Sequence, residues 1–182
     1  MPIPRSLRLA AASLAALFLA SCADTSNRLV VSVSQQRMGL YRDNDLKAVY
    51  KVSTSKFGTG DKPRSNYTPL GRLAVAHKIG AGQPSGMKFK SRRPTGEIVR
   101  PNSPGRDPIV TRILWLRGLE PRNHNTLRRF IYIHGTPEEY KLGTPASYGC
   151  IRMASRDVIK VYDQVGRGAL VDVIKAPLPK SL

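Results

Sequence analysis

Two side chains in this sequence have the types and placement of a nucleophile and its base. His134 closes the alternating run "FIYIHG" (130–135), and Cys150 lies sixteen residues on, inside "PASYGCIRM" (145–153). A cysteine attacks carbonyl carbon as its thiolate, and a nearby imidazole can serve as its base, lowering the thiol pKa by ion pairing. Gly149, directly before the thiol, has no side chain to obstruct an approaching carbonyl, and the N–H groups of Gly149 and Cys150 are candidate oxyanion donors. Arg152 could grip a substrate carboxylate with its two-pronged guanidinium. Spacing alone leaves a second reading open, a small buried cysteine beside an unrelated strand histidine.

Those residues need strands to hold them. "RLVVSVS" (28–34) and "MGLYR" (38–42) read as a hairpin around Gln35-Gln36-Arg37, and "DND" (43–45) turns the chain into the β-branched run "LKAVYKVSTS" (46–55). "GRLAVAHKI" (71–79), "IVTRILWL" (109–116), "FIYIHG" and "ALVDVI" (169–174) complete the strands. Residues 80–108, with five glycines and five prolines, read as long loops lining a site. One helix is expected over 156–165, where Val158, Val161, Tyr162 and Val165 recur on one face, with Ser155 capping its start and Gly166 ending it. The fold class is therefore mainly β, with a short helix after the cysteine loop.

The sequence contains two cysteines, Cys22 and Cys150. Arg5 and Arg8 precede an uncharged apolar run from Leu9 to Ala20, the pattern of an export signal and too short for a comfortable membrane span. Leu19-Ala20-Ser21-Cys22 resembles the lipobox of bacterial lipoproteins, so residues 1–21 are expected to be a signal peptide, Cys22 an acylated anchor and 22–27 a tether. Ordinary cleavage after Ala23 is the alternative. Ala23 after the anchor cysteine favours the outer membrane by resemblance to known sorting. With Cys22 acylated, Cys150 becomes a lone thiol in an oxidising compartment, where unpaired cysteines need a reason.

Thirty basic residues face twelve acidic ones, and losing Arg5 and Arg8 with the leader still leaves 28 against 12, a net +16. Such a field calls for an anionic partner. Export argues against nucleic acid and points to anionic wall polymer or lipid head groups. The basic runs 88–94 and 121–129 are candidate contacts for the polymer, or simply solvated loops.

"IHGTPEEYKLGTPASYGCIRM" resembles the signature of the L,D-transpeptidase catalytic domain, also called the YkuD domain: His-Gly-Thr, a short loop, then Ser-x-Gly-Cys-x-Arg. "TPLGRLAVAHKIG", "RRPTGEI", "TRILWLRGLEP" and "RRFIYIHGT" are similar to the family as well, so the resemblance spans residues 28–175 and leaves 176–182 as a C-terminal tail. It implies a β-sandwich fold and a two-step acyl transfer on peptidoglycan stem peptides, with no cofactor and no metal. Cys150 would attack the bond after the L-centre of diaminopimelate and release D-alanine. An amine would then resolve the thioester, whether from a second stem, a protein or a free D-amino acid.

By the same resemblance His134 is the base, Gly135 supplies the carbonyl that orients it, and Thr136, Ser147, Tyr148, Gly149 and Arg152 form the polar and substrate-binding shell. Many members carry histidine at the position of Tyr148. A tyrosine is no base near neutral pH, though it offers a hydrogen bond and an aromatic face. The rival readings are an L,D-carboxypeptidase or endopeptidase using the same site, and a non-catalytic wall-binding lipoprotein. His77 reads as a packed strand histidine and His124 as a loop residue. His77, His134 and Cys150 lack the spacing of zinc ligands.

Overall fold

The structure, a computed structural model, describes residues 23–105 and 107–182. The leader and Cys22 lie outside the described residues. Among those described, no helix is long and apolar enough to cross a membrane.

Ten strands carry the fold: β1 (Asn27–Ser32), β2 (Arg37–Arg42), β3 (Asp45–Ser53), β4 (Gly71–Ile79), β5 (Met87–Lys90), β6 (Arg93–Ile98), β7 (Ile109–Gly118), β8 (Tyr132–Gly135), β9 (Ile151–Met153) and β10 (Leu170–Ile174). They form one sheet in the order β4-β10-β1-β2-β3-β9-β8-β7-β5-β6. β4 also pairs with β7, so the two-layered sandwich implied by the resemblance is, in its hydrogen bonding, a single sheet closed on itself. Closure leaves no free edge in the ring, and β5–β6 extend from β7 as a side flap.

Alternation along the strands fills the interior. Leu29 and Val31 of β1, Met38 and Leu40 of β2, Leu114 and Leu116 of β7 and Ile133 of β8 join one core cluster. The helix α1 (Ser155–Gln164) adds Val158, Val161 and Tyr162, as its periodicity requires, and packs against β7 and β8. β7 has a second task. Its opposite face carries Ile113 and Trp115 into a smaller cluster with Met87, Phe89 and Tyr132, against which Cys150 packs. The site thus lies on the outer face of β7–β8–β9, under the β5–β6 flap.

Two local expectations are corrected. The stretch 80–108 is not loop throughout, since β5 and β6 form a hairpin within it; Gly and Pro there mark turns and bulges between short strands. Ser155 does not cap α1. Its hydroxyl is paired with Thr111 Oγ1 at 2.7 Å, while the Glu139 carboxylate accepts its backbone N–H at 2.8 Å, an acid placed at the positive end of the helix. The first described residues are tied to the body of the fold. Asp24 accepts from Gly166 N–H at 2.7 Å and donates its own N–H to Arg167 O at 2.8 Å. The tail also docks, through Tyr41 Oη to Pro179 O at 2.6 Å and Leu178 N–H to Gln35 Oε1 at 3.0 Å.

Leu114, fully buried where β7 meets the core, tests this packing. Leu114→Ala is expected to lose about 2–5 kcal/mol through lost burial and the cavity left behind. The urea midpoint of the variant against wild type measures it.

Candidate active site

His134 and Cys150 are brought to one face by a parallel pairing. β8 and β9 lie in register with Ile133 opposite Ile151, His134 opposite Arg152 and Gly135 opposite Met153. Side chains alternate across each strand, so Ile133, Ile151 and Met153 enter the core, and Tyr132, His134, Cys150 and Arg152 share the other side. Cys150, one step before β9, sits diagonally from His134. The sequence separation of sixteen residues is closed by the 136–149 loop.

The imidazole is fixed by its neighbours. His134 is 4 % exposed, and its Nδ1 lies 2.8 Å from the carbonyl oxygen of Gly135. A carbonyl can only accept, so Nδ1 carries the proton and Nε2 is left with its lone pair. Burial holds the imidazole below its ordinary pKa, with the Arg152 charge acting the same way, against the Gly135 carbonyl and Asp107. Gly135 itself packs on the β7 bulge, where an added Cβ would meet Val110 O at 2.7 Å. Thr111 at that bulge has φ +72°, a left-handed conformation rare for a β-branched residue. Its hydroxyl accepts the Gly86 N–H at 2.9 Å, tying the strained residue to the approach of β5.

Cys150 is half-buried and is the free cysteine among the described residues. Its Sγ donates to Phe130 O at 3.5 Å. Burial pushes the thiol up to about 11, the backbone N–H of Tyr132 and the charge of Arg129 drawing it partly back. This departs from the expected thiolate–imidazolium ion pair: with the imidazole shifted down and the thiol shifted up, both groups are neutral at neutral pH. The arrangement suits proton transfer to Nε2 during attack rather than a thiolate formed beforehand.

The surrounding shell divides the remaining expected residues. Gly149, at φ +117°, makes a turn that a side chain would strain, and Thr68 Oγ1 donates to its carbonyl at 3.0 Å. Its N–H, expected at an oxyanion, already donates to Ser147 Oγ at 3.2 Å. Ser147 Oγ in turn donates to Cys150 O at 2.6 Å, so this buried serine braces the loop around the thiol. Tyr148 is 63 % exposed. It stands on the rim against Phe57, with ring centroids 5.3 Å apart, and Lys56 Nζ lies 4.6 Å above its ring and donates to its Oη at 3.2 Å.

Arg152 is not available to an incoming carboxylate. Its side chain is 3 % exposed, and its guanidinium donates to Asp107, to Glu138 Oε2 at 2.8 Å and to Ser53 Oγ at 3.3 Å. Thr136, buried, donates to the same Asp107 carboxylate and accepts from Glu138 N–H at 3.0 Å. Arg152 and Thr136 therefore support the site from beneath. The reason is geometric: Arg152 faces the same side as His134 but lies further along β9, where the 136–149 loop folds over it.

Sequence reading gave no role to Asp107, Glu138 or Thr68, although Glu138 and Thr68 lie inside stretches similar to the family. It also missed the pair Asp61–Arg129, 5 % and 8 % exposed and joined at 2.9 Å, which ties the 55–68 loop to the segment entering β8. Only the composition of these loops, with an acid among many bases, could have drawn attention to them.

Two measurements follow. Iodoacetamide modification of folded Cys150 is expected to rise about tenfold per pH unit from about pH 7 to 10 without levelling off, as a thiol raised by burial requires. Burial opposes the ionised form of Glu138, but hydrogen bonds from Lys141 and Arg152 outweigh it and hold the carboxyl below its usual range. A lowered carboxyl stabilises the fold above its unfolded pKa and loses that effect as pH falls. Glu138→Gln should therefore be less stable by about 1–3 kcal/mol at neutral pH, with the gap narrowing below about pH 4.3 in urea titrations.

The comparisons with known proteins bear on this geometry. The family model of the L,D-transpeptidase catalytic domain matches residues 26–173. Probable L,D-transpeptidase YcfS of Escherichia coli is 32 % identical over 66 residues, which cover 34 % of this chain and 21 % of that protein. L,D-transpeptidase 3 of Mycobacterium tuberculosis, solved with a faropenem-derived adduct, aligns with TM-score 0.54 at 18 % identity, over 81 % of this chain and 60 % of that one. A cysteine-to-serine variant of the Enterococcus faecium L,D-transpeptidase aligns with TM-score 0.53 at 16 % identity, over 82 % and 50 % respectively. These solved structures speak for the fold, and the chain spans a fifth to six-tenths of the proteins it resembles. The family match is broader, running from the start of β1 into β10 and enclosing both His134 and Cys150, and on it the chain belongs to the L,D-transpeptidase catalytic-domain family.

Proposed function

We propose that this protein is an exported, cysteine-dependent L,D-transpeptidase acting on peptidoglycan stem peptides. The observation that carries the reading is the shared face of β8 and β9, which sets a carbonyl-oriented imidazole beside a half-buried thiol inside a family-matched fold. Cys150 Sγ attacks the carbonyl of the L-centre of the third residue while His134 Nε2 takes the thiol proton. The backbone N–H of Cys150 is the candidate donor to the oxyanion, since that of Gly149 is engaged by Ser147. The imidazolium then protonates the departing D-alanine amine, leaving a thioester. An acceptor amine, deprotonated by the same imidazole, attacks the thioester, forms the new amide and returns the thiol.

The net positive charge supports an anionic wall as the environment. The leader pattern and Leu19-Ala20-Ser21-Cys22 support export and acylation of Cys22, with the outer membrane favoured. Tyr148, in the place of the histidine found in many members, shapes the exposed rim of the groove, its ring and hydroxyl organised by Phe57 and Lys56.

Incubation of the purified protein with disaccharide-tetrapeptides, followed by mass spectrometry, tests the reading. Cross-linked dimers are expected from wild type and none from Cys150→Ala. His134→Ala should slow the reaction by about 10²–10⁴-fold. Tripeptides without dimers would make the enzyme an L,D-carboxypeptidase or endopeptidase. Unchanged tetrapeptide with wild type would leave a wall-binding lipoprotein.

A further inference from the structure

The β5–β6 hairpin turns at two residues, Ser91 and Arg92, between the paired Lys90 and Arg93. Both have positive φ, 49° and 67°, the backbone of a two-residue turn that normally selects asparagine or glycine. The chain accepts this conformation and thereby carries an arginine to the flap tip. The Arg92 guanidinium lies 4.9 Å from the Trp115 ring centroid and 5.1 Å from that of Phe130, and Nη1 lies 3.4 Å from Tyr132 Oη. Stacking on two aromatic rings restricts the side chain, so little freedom remains to be lost when it binds an anion.

Among the described residues, no carboxylate pairs with it. Arg129 and Arg152, the two guanidiniums whose charge acts on the Cys150 thiol, are by contrast both held in salt bridges. Arg92 and the thiol share neighbours. Phe130 presents its ring to Arg92 and its carbonyl to Cys150 Sγ at 3.5 Å, and Trp115, which Arg92 also stacks on, packs with Cys150 in one cluster.

We propose that Arg92 is a substrate-binding residue whose guanidinium receives the terminal carboxylate of the donor peptide, carried by the residue that leaves on acylation. The inference rests on the transpeptidase reading. In a donor bound for attack at Cys150, that carboxylate lies within about 4 Å of the scissile carbon by standard backbone dimensions. It is therefore the anion that a cation over Phe130 and Trp115 meets first. A guanidinium binds it through two parallel N–H donors, which a carboxamide cannot match. The contact makes a free C-terminus a requirement of the donor, and it is broken when the residue departs.

The test compares the disaccharide-tetrapeptide with its C-terminal carboxamide. In wild type, KM for the carboxylate donor should be roughly 10- to 150-fold lower than for the carboxamide, the range of one charge-assisted contact. In Arg92→Met, which keeps the aliphatic stem on the rings, that preference should vanish, and Arg92→Lys should keep part of it. Equal use of both donors by wild type would overturn the proposal. So would an equal loss on both donors in Arg92→Met with a lowered Tm, which is the mark of a structural staple.

Calorimetric binding of both peptides to Cys150→Ala, with and without Arg92→Met, separates this result from the reaction itself. Carboxylate preference dependent on Arg92 supports the site even if wild type forms no product. Binding without that dependence removes the site even if wild type cross-links.

Discussion

The parallel register of β8 and β9 is the constraint on which the rest depends. Ile133 opposite Ile151 buries one side of both strands, and this burial sends His134 and Cys150 together to the other side. A slip of one residue would send the histidine into the core and expose the isoleucines, so the hydrophobic pattern that folds the ring also aligns the site. Parallel neighbours need a connection that crosses over, and the 136–149 loop makes it. That connection then wraps Arg152 and presents Tyr148.

Electrostatics in this site are arranged around burial. Two acids from different loops, Asp107 and Glu138, converge on the buried Arg152, and Thr136 joins the same cluster. A buried guanidinium left without these acids would carry a heavy desolvation cost. The network therefore fixes the crossover loop to β9 rather than offering charge to solvent. The proposed reacting pair lies beside it as neutral imidazole and neutral thiol, both shifted chiefly by desolvation. A neutral resting pair leaves the thiol less open to oxidation than a standing thiolate would, because the thiolate is the reactive form.

Aromatic residues define the rim. Phe130 and Trp115 lie on one side under Arg92, and Phe57 and Tyr148 on the other beside Lys56. Each of these two cations rests on rings rather than on a carboxylate, and the stacking restricts its side chain.

Sequence by itself determined the elements with strong periodicity and the residues with a motif. The strand at 71–79 has the same bounds in the sequence reading and the structure, and the helical face of Val158, Val161 and Tyr162 packs as its spacing requires. "IHGT" and "SYGC" identified the family because their spacing and flanks are local properties of the chain. Tertiary structure decided what depends on distant segments. It closed the sheet through β4 and β7 and found a hairpin among glycines and prolines, where β5 is too short for a clear period-two signal and β6 is exposed along its length. It moved Arg152 from the groove to the supports and brought Arg92 to the rim. Whether an arginine meets a buried acid or a pair of aromatic rings depends on which segments fold against it, and residues 45 positions from Arg152 and 23 from Arg92 decide that.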